Sequence, residues 1–249
     1  MTLAGQGFAC FAATDRSRAW ATAALARARG IIADPEARAA NLRHGETWFV
    51  GVDALPNDVD GSIDSVPLCG PWQDHLPQIG PLHRAQLSVI YPGYPKQDAG
   101  ESDGNHRYRL RRGAAHVDGL HPVGPDRRRR ALERHAYILG ISLDGSRAAP
   151  TLCWPGSHRV LGAALRDAIA EDDPAQVDVT EAYHKARAQV FDQIEPVALS
   201  GPAGSSFLLH RFTLHGTAPW RDERDAARVT AFFRPDWIGA HRDWLAVPE

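Results

Sequence analysis

The stretch Gly113-Ala114-Ala115-His116-Val117-Asp118-Gly119 constrains this chain more than any other. Two metal-capable side chains stand two residues apart, between a strand-like segment and a Gly/Pro-rich turn. Successive side chains of a β-strand point to opposite faces, so His116 and Asp118 can aim at one point while Val117 turns away. An imidazole and a carboxylate are two of the three protein donors of a facial triad, a set that leaves further coordination positions open. Alone, the pattern has a second reading. In a chain with 12 His and 30 acidic residues, a His-x-Asp also arises by chance, as an imidazole hydrogen-bonded to a nearby carboxylate at a strand end.

A second stretch shifts that balance. Gly204-Ser205-Ser206-Phe207-Leu208-Leu209-His210-Arg211-Phe212-Thr213-Leu214-His215-Gly216-Thr217 follows about a hundred residues later and offers a third donor at the end of an apolar, strand-like run. His210 and His215 are five residues apart, an odd offset, so one regular strand cannot turn both to the same side. Arg228 then opens another strand-like run.

Taken together, these pieces resemble the phytanoyl-CoA dioxygenase family of Fe(II)/2-oxoglutarate oxygenases. The family pattern is His-x-Asp, a Pro-Gly-Ser/Thr-His segment, a Gly-rich turn into His-x4-His-Gly-Ser/Thr, and an Arg. This chain shows His116-Val117-Asp118, Pro155-Gly156-Ser157-His158, His210 to Thr217, and Arg228, in that order and at similar spacing over residues 85–235. The resemblance implies that Fe(II) is held by His116, Asp118 and His215, the catalytic centre. It selects His215 because Gly216-Thr217 follow it, and leaves His210 structural and His158 off the metal. It implies that Arg228 anchors the far carboxylate of 2-oxoglutarate, with the Thr217 hydroxyl close by. A guanidinium fork suits a carboxylate, and Arg228, Thr230 and Phe232 share one face of their strand. Arg234 is the rival, read as a surface ion-pair residue. The chain departs from the family in one respect: residues 136–140 lack the Trp that the family tends to place on the strand after His-x-Asp.

The implied fold is mainly β with α: a double-stranded β-helix, or jelly roll, with an outer layer of helices and the metal in the barrel mouth. One domain over residues 1–249 is expected, with a helical and irregular portion at 1–80 and the β-helix core at 85–235. The implied activity is that of a dioxygenase consuming O2 and 2-oxoglutarate. A small organic substrate is hydroxylated, with release of succinate and CO2. A carboxylate at position 118 argues against halogenation, which needs that coordination place vacated. Two alternatives stay open: a cupin-type enzyme using another divalent metal without 2-oxoglutarate, and a non-catalytic small-molecule binding protein on the same scaffold.

Composition sets the remaining bounds. Twenty-eight basic and 30 acidic residues give a formal charge of −2, so charge gives no reason to expect nucleic-acid or membrane binding. Three cysteines without a Cys-x-x-Cys read as reduced thiols in a cytoplasmic protein. No basic region followed by an apolar run opens the chain, and no segment reaches the ~20 apolar residues of a membrane span.

Along the chain, the patterning predicts helices at 15–29, stopped by Gly30, and at 35–43. A strand is expected at 47–52 and an acidic solvated loop at 53–64, whose prolines defeat a calcium-loop reading. A strand at 86–91 carries Tyr91 and leads to Tyr94, both candidates to line the co-substrate pocket. Residues 96–105 read as a polar loop and 119–125 as a loop carrying His121. Arg127 to Arg130 offer either an anion-binding patch or a solvated face, the second favoured. Strands follow at 135–143 and 151–154. Ser157 is a candidate cap for a helix reaching about Ala170, and Asp178 with Glu181 a capping box for a helix over 178–194. Strands at 197–200, 207–214 and 228–233 complete the pattern. Trp154, Trp220, Phe232 and Trp237 are candidate walls of an apolar pocket.

Overall fold

Side-chain alternation builds the architecture. The computed structural model describes residues 2–76, 81–221 and 225–247. Helix α1 (Leu3–Gln6) and strand β1 (Phe8–Phe11) open the chain, followed by helices α2 (Asp15–Ala33) and α3 (Pro35–Asn41) and strands β2 (Leu42–Arg43) and β3 (Trp48–Gly51). Strand β4 (Gln86–Ile90) and helix α4 (Asp103–Arg112) precede strands β5 (Leu120–Val123), β6 (Arg128–Ala131), β7 (Tyr137–Ser142) and β8 (Thr151–Cys153). Helices α5 (Ser157–Ile169) and α6 (Thr180–Gln193) separate β8 from β9 (Val197–Leu199). Strands β10 (Ser206–His210), β11 (His215–Thr217) and β12 (Arg228–Phe233) and helix α7 (His241–Leu245) follow.

Seven strands form one antiparallel sheet in the order β1-β10-β7-β12-β4-β3-β2, and three form a second in the order β11-β8-β9. Phe49, Leu87, Val89, Leu139, Ile141, Leu208, Val229, Ala231 and Phe233 point from the large sheet to one side. There they pack with Trp20, Ala21, Ala24 and Ala28 of α2, the stripe that helical periodicity gives. Thr14 caps α2 in a reciprocal box with Ser17. The Trp20 indole N–H donates to the Gly61 carbonyl at 2.8 Å, so this large side chain is buried without an orphaned donor. The alternate residues Ile138, Phe207, Leu209 and Phe232 face Cys153 and Leu199 of the small sheet. Helices α5 and α6, with Trp154, Phe212 and Leu214, form a further apolar cluster. The chain is thus a mixed α/β structure around a large antiparallel sheet.

Several expectations change. Helix α2 runs through Gly30 to Ala33, because the glycine is exposed on open space and Asp34 ends this helix while capping the next. Strand β1 was not foreseen; it pairs with β10. Helix α4 replaces the end of the polar loop and the strand-like lead into His-x-Asp. Ser102 caps it, Gly113 ends it in the left-handed region, and it buries no residue, so no apolar period announces it. Residues 119–125 are mostly strand β5, hairpinned with β6. The arginine run is used locally. Arg128 pairs with Asp178 and Glu181, and Arg129 donates to the Leu120 carbonyl and lies over the Tyr183 ring. Ser157 does not cap α5 through its side chain; Gly156 stands at that position, and Ser157 Oγ accepts from the Leu214 N–H at 2.9 Å. Asp178 accepts from Thr180, not across a capping box with Glu181. The strand expected at 207–214 ends at His210, and β11 begins in the other sheet at His215. Among the described residues no helix is long and apolar enough to cross a membrane, and Cys10, Cys69 and Cys153 are free thiols.

Candidate metal centre

Two glycines bring the distant motifs together. Gly113 has φ +59, and a Cβ on Gly216 would meet the Gly113 carbonyl oxygen at 2.3 Å. Only glycine permits this backbone approach, which passes the Thr217 N–H to the Gly113 carbonyl at 2.9 Å. Three residues on, His116 and His215 exchange both backbone hydrogen bonds, at 2.8 and 3.1 Å. Their rings lie 4.7 Å apart between centroids.

Each ring is held the same way. His116 Nδ1 lies 3.0 Å from the Ala114 carbonyl and His215 Nδ1 2.9 Å from the Thr213 carbonyl. A carbonyl only accepts, so both Nδ1 atoms carry the proton and both Nε2 lone pairs face inward. His116 Nε2 is 3.0 Å from Asp118 Oδ1, and His215 Nε2 is 3.6 Å from Asp118 Oδ2. One donor atom from each residue lies within 4.8 Å of the others, the only such group among the described residues. The expected trio is therefore assembled, although neither His116 nor Asp118 lies in a regular strand. His215 Nε2 is buried with no hydrogen-bond partner among the described residues, a costly state unless something else occupies it.

The Asp118 carboxyl is almost covered. Burial alone would raise its pKa, but the Arg234 guanidinium holds it well below the usual carboxylate range. Arg234 is the main departure from expectation. Its ion pair is not on the surface: Nε donates to Asp118 Oδ2, Nη1 donates to Gln86 Oε1 at 2.7 Å, and the guanidinium lies over the Phe232 ring. Strand alternation holds the signal that finds it, because 228, 230, 232 and 234 share one face.

These groups open into a cavity of about 560 Å³. Trp48, Val50, Ser88, His121, His135, Thr151, Thr217, Phe232 and Arg234 line it together with the trio. Thr217 therefore lines the same cavity as the trio. Arg228 sits behind this wall: it lines a separate void of about 50 Å³ between the sheets and reaches the main cavity's wall through Nη2, which donates to Thr151 Oγ1 at 2.6 Å. It is 4% exposed, and its Nη1 is buried without a partner among the described residues. Burial pulls its pKa down to about 10, against the opposing pull of Asp144 and Tyr94.

Other candidates fall away. His210 lies outside the trio; its Nδ1 accepts from the Phe212 N–H, and its ring packs 5.0 Å from that of His158. Tyr91 packs toward the α2 side and Tyr94 against Trp48 and His44. Of the four aromatic wall candidates only Phe232 lines the cavity; Trp154 and Trp237 belong to the α5–α6 cluster and Trp220 packs near Ile90 and Tyr94. Thr151, Gln86, Glu133 and His135 were missed, since nothing local in the sequence marks them.

No family model matches the chain, and no curated protein matches it. Among solved structures it is similar to the non-haem alpha-ketoglutarate-dependent carbocyclase SnoK from nogalamycin biosynthesis, at 14% identity and TM-score 0.48, over 100% of this chain and 90% of that one. It is similar to the epimerase SnoN in complex with Fe3+, alpha-ketoglutarate and nogalamycin RO, at 16% identity and TM-score 0.49, over 94% and 80%. It is also similar to EctD from S. alaskensis with 2-oxoglutarate and 5-hydroxyectoine, at 15% identity and TM-score 0.47, over 94% and 74%.

Proposed function

We propose that this chain is a non-haem Fe(II)/2-oxoglutarate-dependent dioxygenase that hydroxylates a small organic substrate. The observation that carries this is the trio itself. His116, Asp118 and His215 converge within 4.8 Å, with both Nδ1 atoms bound to carbonyls and both Nε2 lone pairs free. Two imidazoles and one carboxylate on one side of a cavity are the donor set of the facial triad, and mixed N,O donors suit Fe(II). The orphaned Nε2 of His215 and the orphaned Nη1 of Arg228 are the atoms that a metal and a diacid would satisfy. The two antiparallel sheets facing one another across Phe207 and Phe232 are read as a double-stranded β-helix. The whole is read as a single cytoplasmic domain of the phytanoyl-CoA dioxygenase kind.

When bound, iron and 2-oxoglutarate supply the oxidising power to insert one oxygen atom of O2 into a C–H bond, with succinate and CO2 as co-products. The chain's own part is positional. His116, Asp118 and His215 hold the metal from one side and leave the cavity side open. Arg228 binds the far carboxylate of 2-oxoglutarate, kept cationic at neutral pH and aligned by Thr151; the Thr217 hydroxyl lies along the same wall. Arg234 fixes the Asp118 carboxylate by engaging Oδ2. Phe232 and Val50 add apolar surface to the cavity wall.

Anaerobic titration of the metal-free protein with Fe(II) and 2-oxoglutarate tests this. A visible metal-to-ligand charge-transfer band is expected, weakened in Arg228→Ala and lost in His215→Ala. No band in iron-loaded wild type would sink the reading and favour a cupin using another metal or a binding protein. A band unaffected by Arg228→Ala would remove Arg228 from the co-substrate site.

A further inference from the structure

Above the metal centre, the cavity wall carries a second group of imidazoles and carboxylates that the proposed chemistry leaves without a task. His135 lines the cavity and is 8% exposed, yet neither of its ring nitrogens has a hydrogen-bond partner among the described residues. Its Nε2 stands 3.3 Å from Glu133 Oε2, and the same oxygen stands 3.2 Å from His121 Nε2. Neither contact has hydrogen-bond geometry, because both nitrogens remain unpartnered. Asp236 lies beside His135, joined to it by an isolated antiparallel bridge, and also lines the cavity. These residues do not close on one ion: among the described residues only the His116, Asp118, His215 group gathers its donor atoms within 4.8 Å.

The charge balance of this wall is one-sided. Across the mouth Asp53 faces His83 at 3.3 Å, and both nitrogens of that imidazole lie against carbonyls, of Arg84 and Arg234. That arrangement favours the protonated ring, which neutralises Asp53. The Arg234 guanidinium is engaged by Asp118 and Gln86. Glu133 and Asp236 are left with no Lys or Arg within salt-bridge range among the described residues, and Asp236 shares the His83 imidazole with Asp53 only at longer range.

We propose that His135, Glu133 and Asp236 form a recognition subsite for a protonated amino group, so that the substrate is a small molecule bearing an ammonium. The inference rests on reading the cavity as the substrate chamber of the oxygenase. An ammonium offers three donors and no acceptor; the wall offers two carboxylates and an imidazole lone pair. Burial lowers the pKa of His135, with Asp118 pulling partly the other way, so the ring is neutral at physiological pH and keeps that lone pair. A carboxylate or a polyphosphorylated thioester would instead meet two like charges.

Anaerobic calorimetric titration of the protein incubated with Fe(II) and 2-oxoglutarate tests this, using cyclohexylamine, cyclohexanol and cyclohexanecarboxylate at pH 7.5. The three probes share a ring and differ in the head group. The amine is expected to bind about tenfold more tightly than either of the others, the size of one charge-assisted hydrogen bond added to half-exposed pairing. Glu133→Gln combined with Asp236→Asn should reduce that preference to below about threefold. Both side chains stand at the exposed cavity mouth, and a thermal melt of the variant confirms folding. Equal or tighter binding of the alcohol or the carboxylate overturns the subsite, as does a preference that survives the double substitution. The charge-transfer band is recorded on the same samples. Amine preference without a band overturns the oxygenase reading alone; a band without the preference overturns the subsite alone.

Discussion

Among the described residues two pairs of histidine rings lie close together, and their difference defines the site. The rings of His116 and His215 lie tilted with centroids 4.7 Å apart, and those of His158 and His210 tilted with centroids 5.0 Å apart. Residue type and separation are nearly the same. The first pair has Asp118 against both Nε2 atoms, carbonyls on both Nδ1 atoms and a cavity in front. The second has no carboxylate in contact with it among the described residues. His158 is tied through Nε2 to the Ala4 carbonyl, and His210 accepts a backbone N–H. Burial, helped by Arg211 and His158, pushes the His210 pKa down to about 2. Proximity of imidazoles is therefore not what makes a metal site; the carboxylate, the Nε2 lone pairs turned to one point and the open side are.

The contrast is sharpest under mutation. His215→Ala removes a donor and should weaken Fe(II) binding by more than about a hundredfold, beyond the usual effect of a supporting residue; retention of iron would dissolve the distinction between the pairs. Arg234→Gln leaves Asp118 buried without its cation. Iron affinity should fall roughly 10- to 100-fold, with partial recovery in Arg234→Lys, read by competition with a chelator. His210→Gln should leave iron affinity within about twofold but change the pH profile of stability. His210 ordinarily titrates near 6.5 and near 2 in the fold, so the unfolded chain binds more protons between those values. The contribution is complete above about 6.5 and is lost as pH falls, by about 1.4 kcal/mol per unit. Melts of the metal-free protein between pH 7 and 5 should be less steep in the variant; identical slopes would refute the assignment. Thr217→Val should weaken 2-oxoglutarate by only about three- to tenfold, the worth of one hydrogen bond.

The convergence of the trio was legible because each member stands in a short motif whose neighbours carry the signal. Arg234 was not, because its partners Asp118 and Gln86 lie 116 and 148 residues away, and an Arg before a Pro reads locally as surface. The odd spacing of His210 and His215 was legible as a conflict, and the fold resolves it by breaking the strand and passing the chain to the other sheet. Helix α4 and the β5–β6 hairpin were obscured for one reason: runs such as Arg-Tyr-Arg-Leu-Arg-Arg and Arg-Arg-Arg-Arg bury little, so neither the period of 3.6 nor the period of 2 is visible in them.

Strand β12 presents Arg228, Thr230, Phe232 and then Arg234 to the interior, while Val229, Ala231 and Phe233 face α2. A one-residue insertion or deletion within it would exchange the two faces for every residue beyond the change. One arginine would leave the interior and an apolar side chain would enter. The hairpin β5–β6 lies outside the two main sheets; it buries Leu120 and Ala131, but the side chains it and the next residues turn to the chamber, His121 and Glu133, are about half exposed. The molecule is thus divided into a part that a lineage must keep in frame and a part that it is free to lengthen, shorten or recharge. Diversification of what the chamber accepts is channelled to the second part.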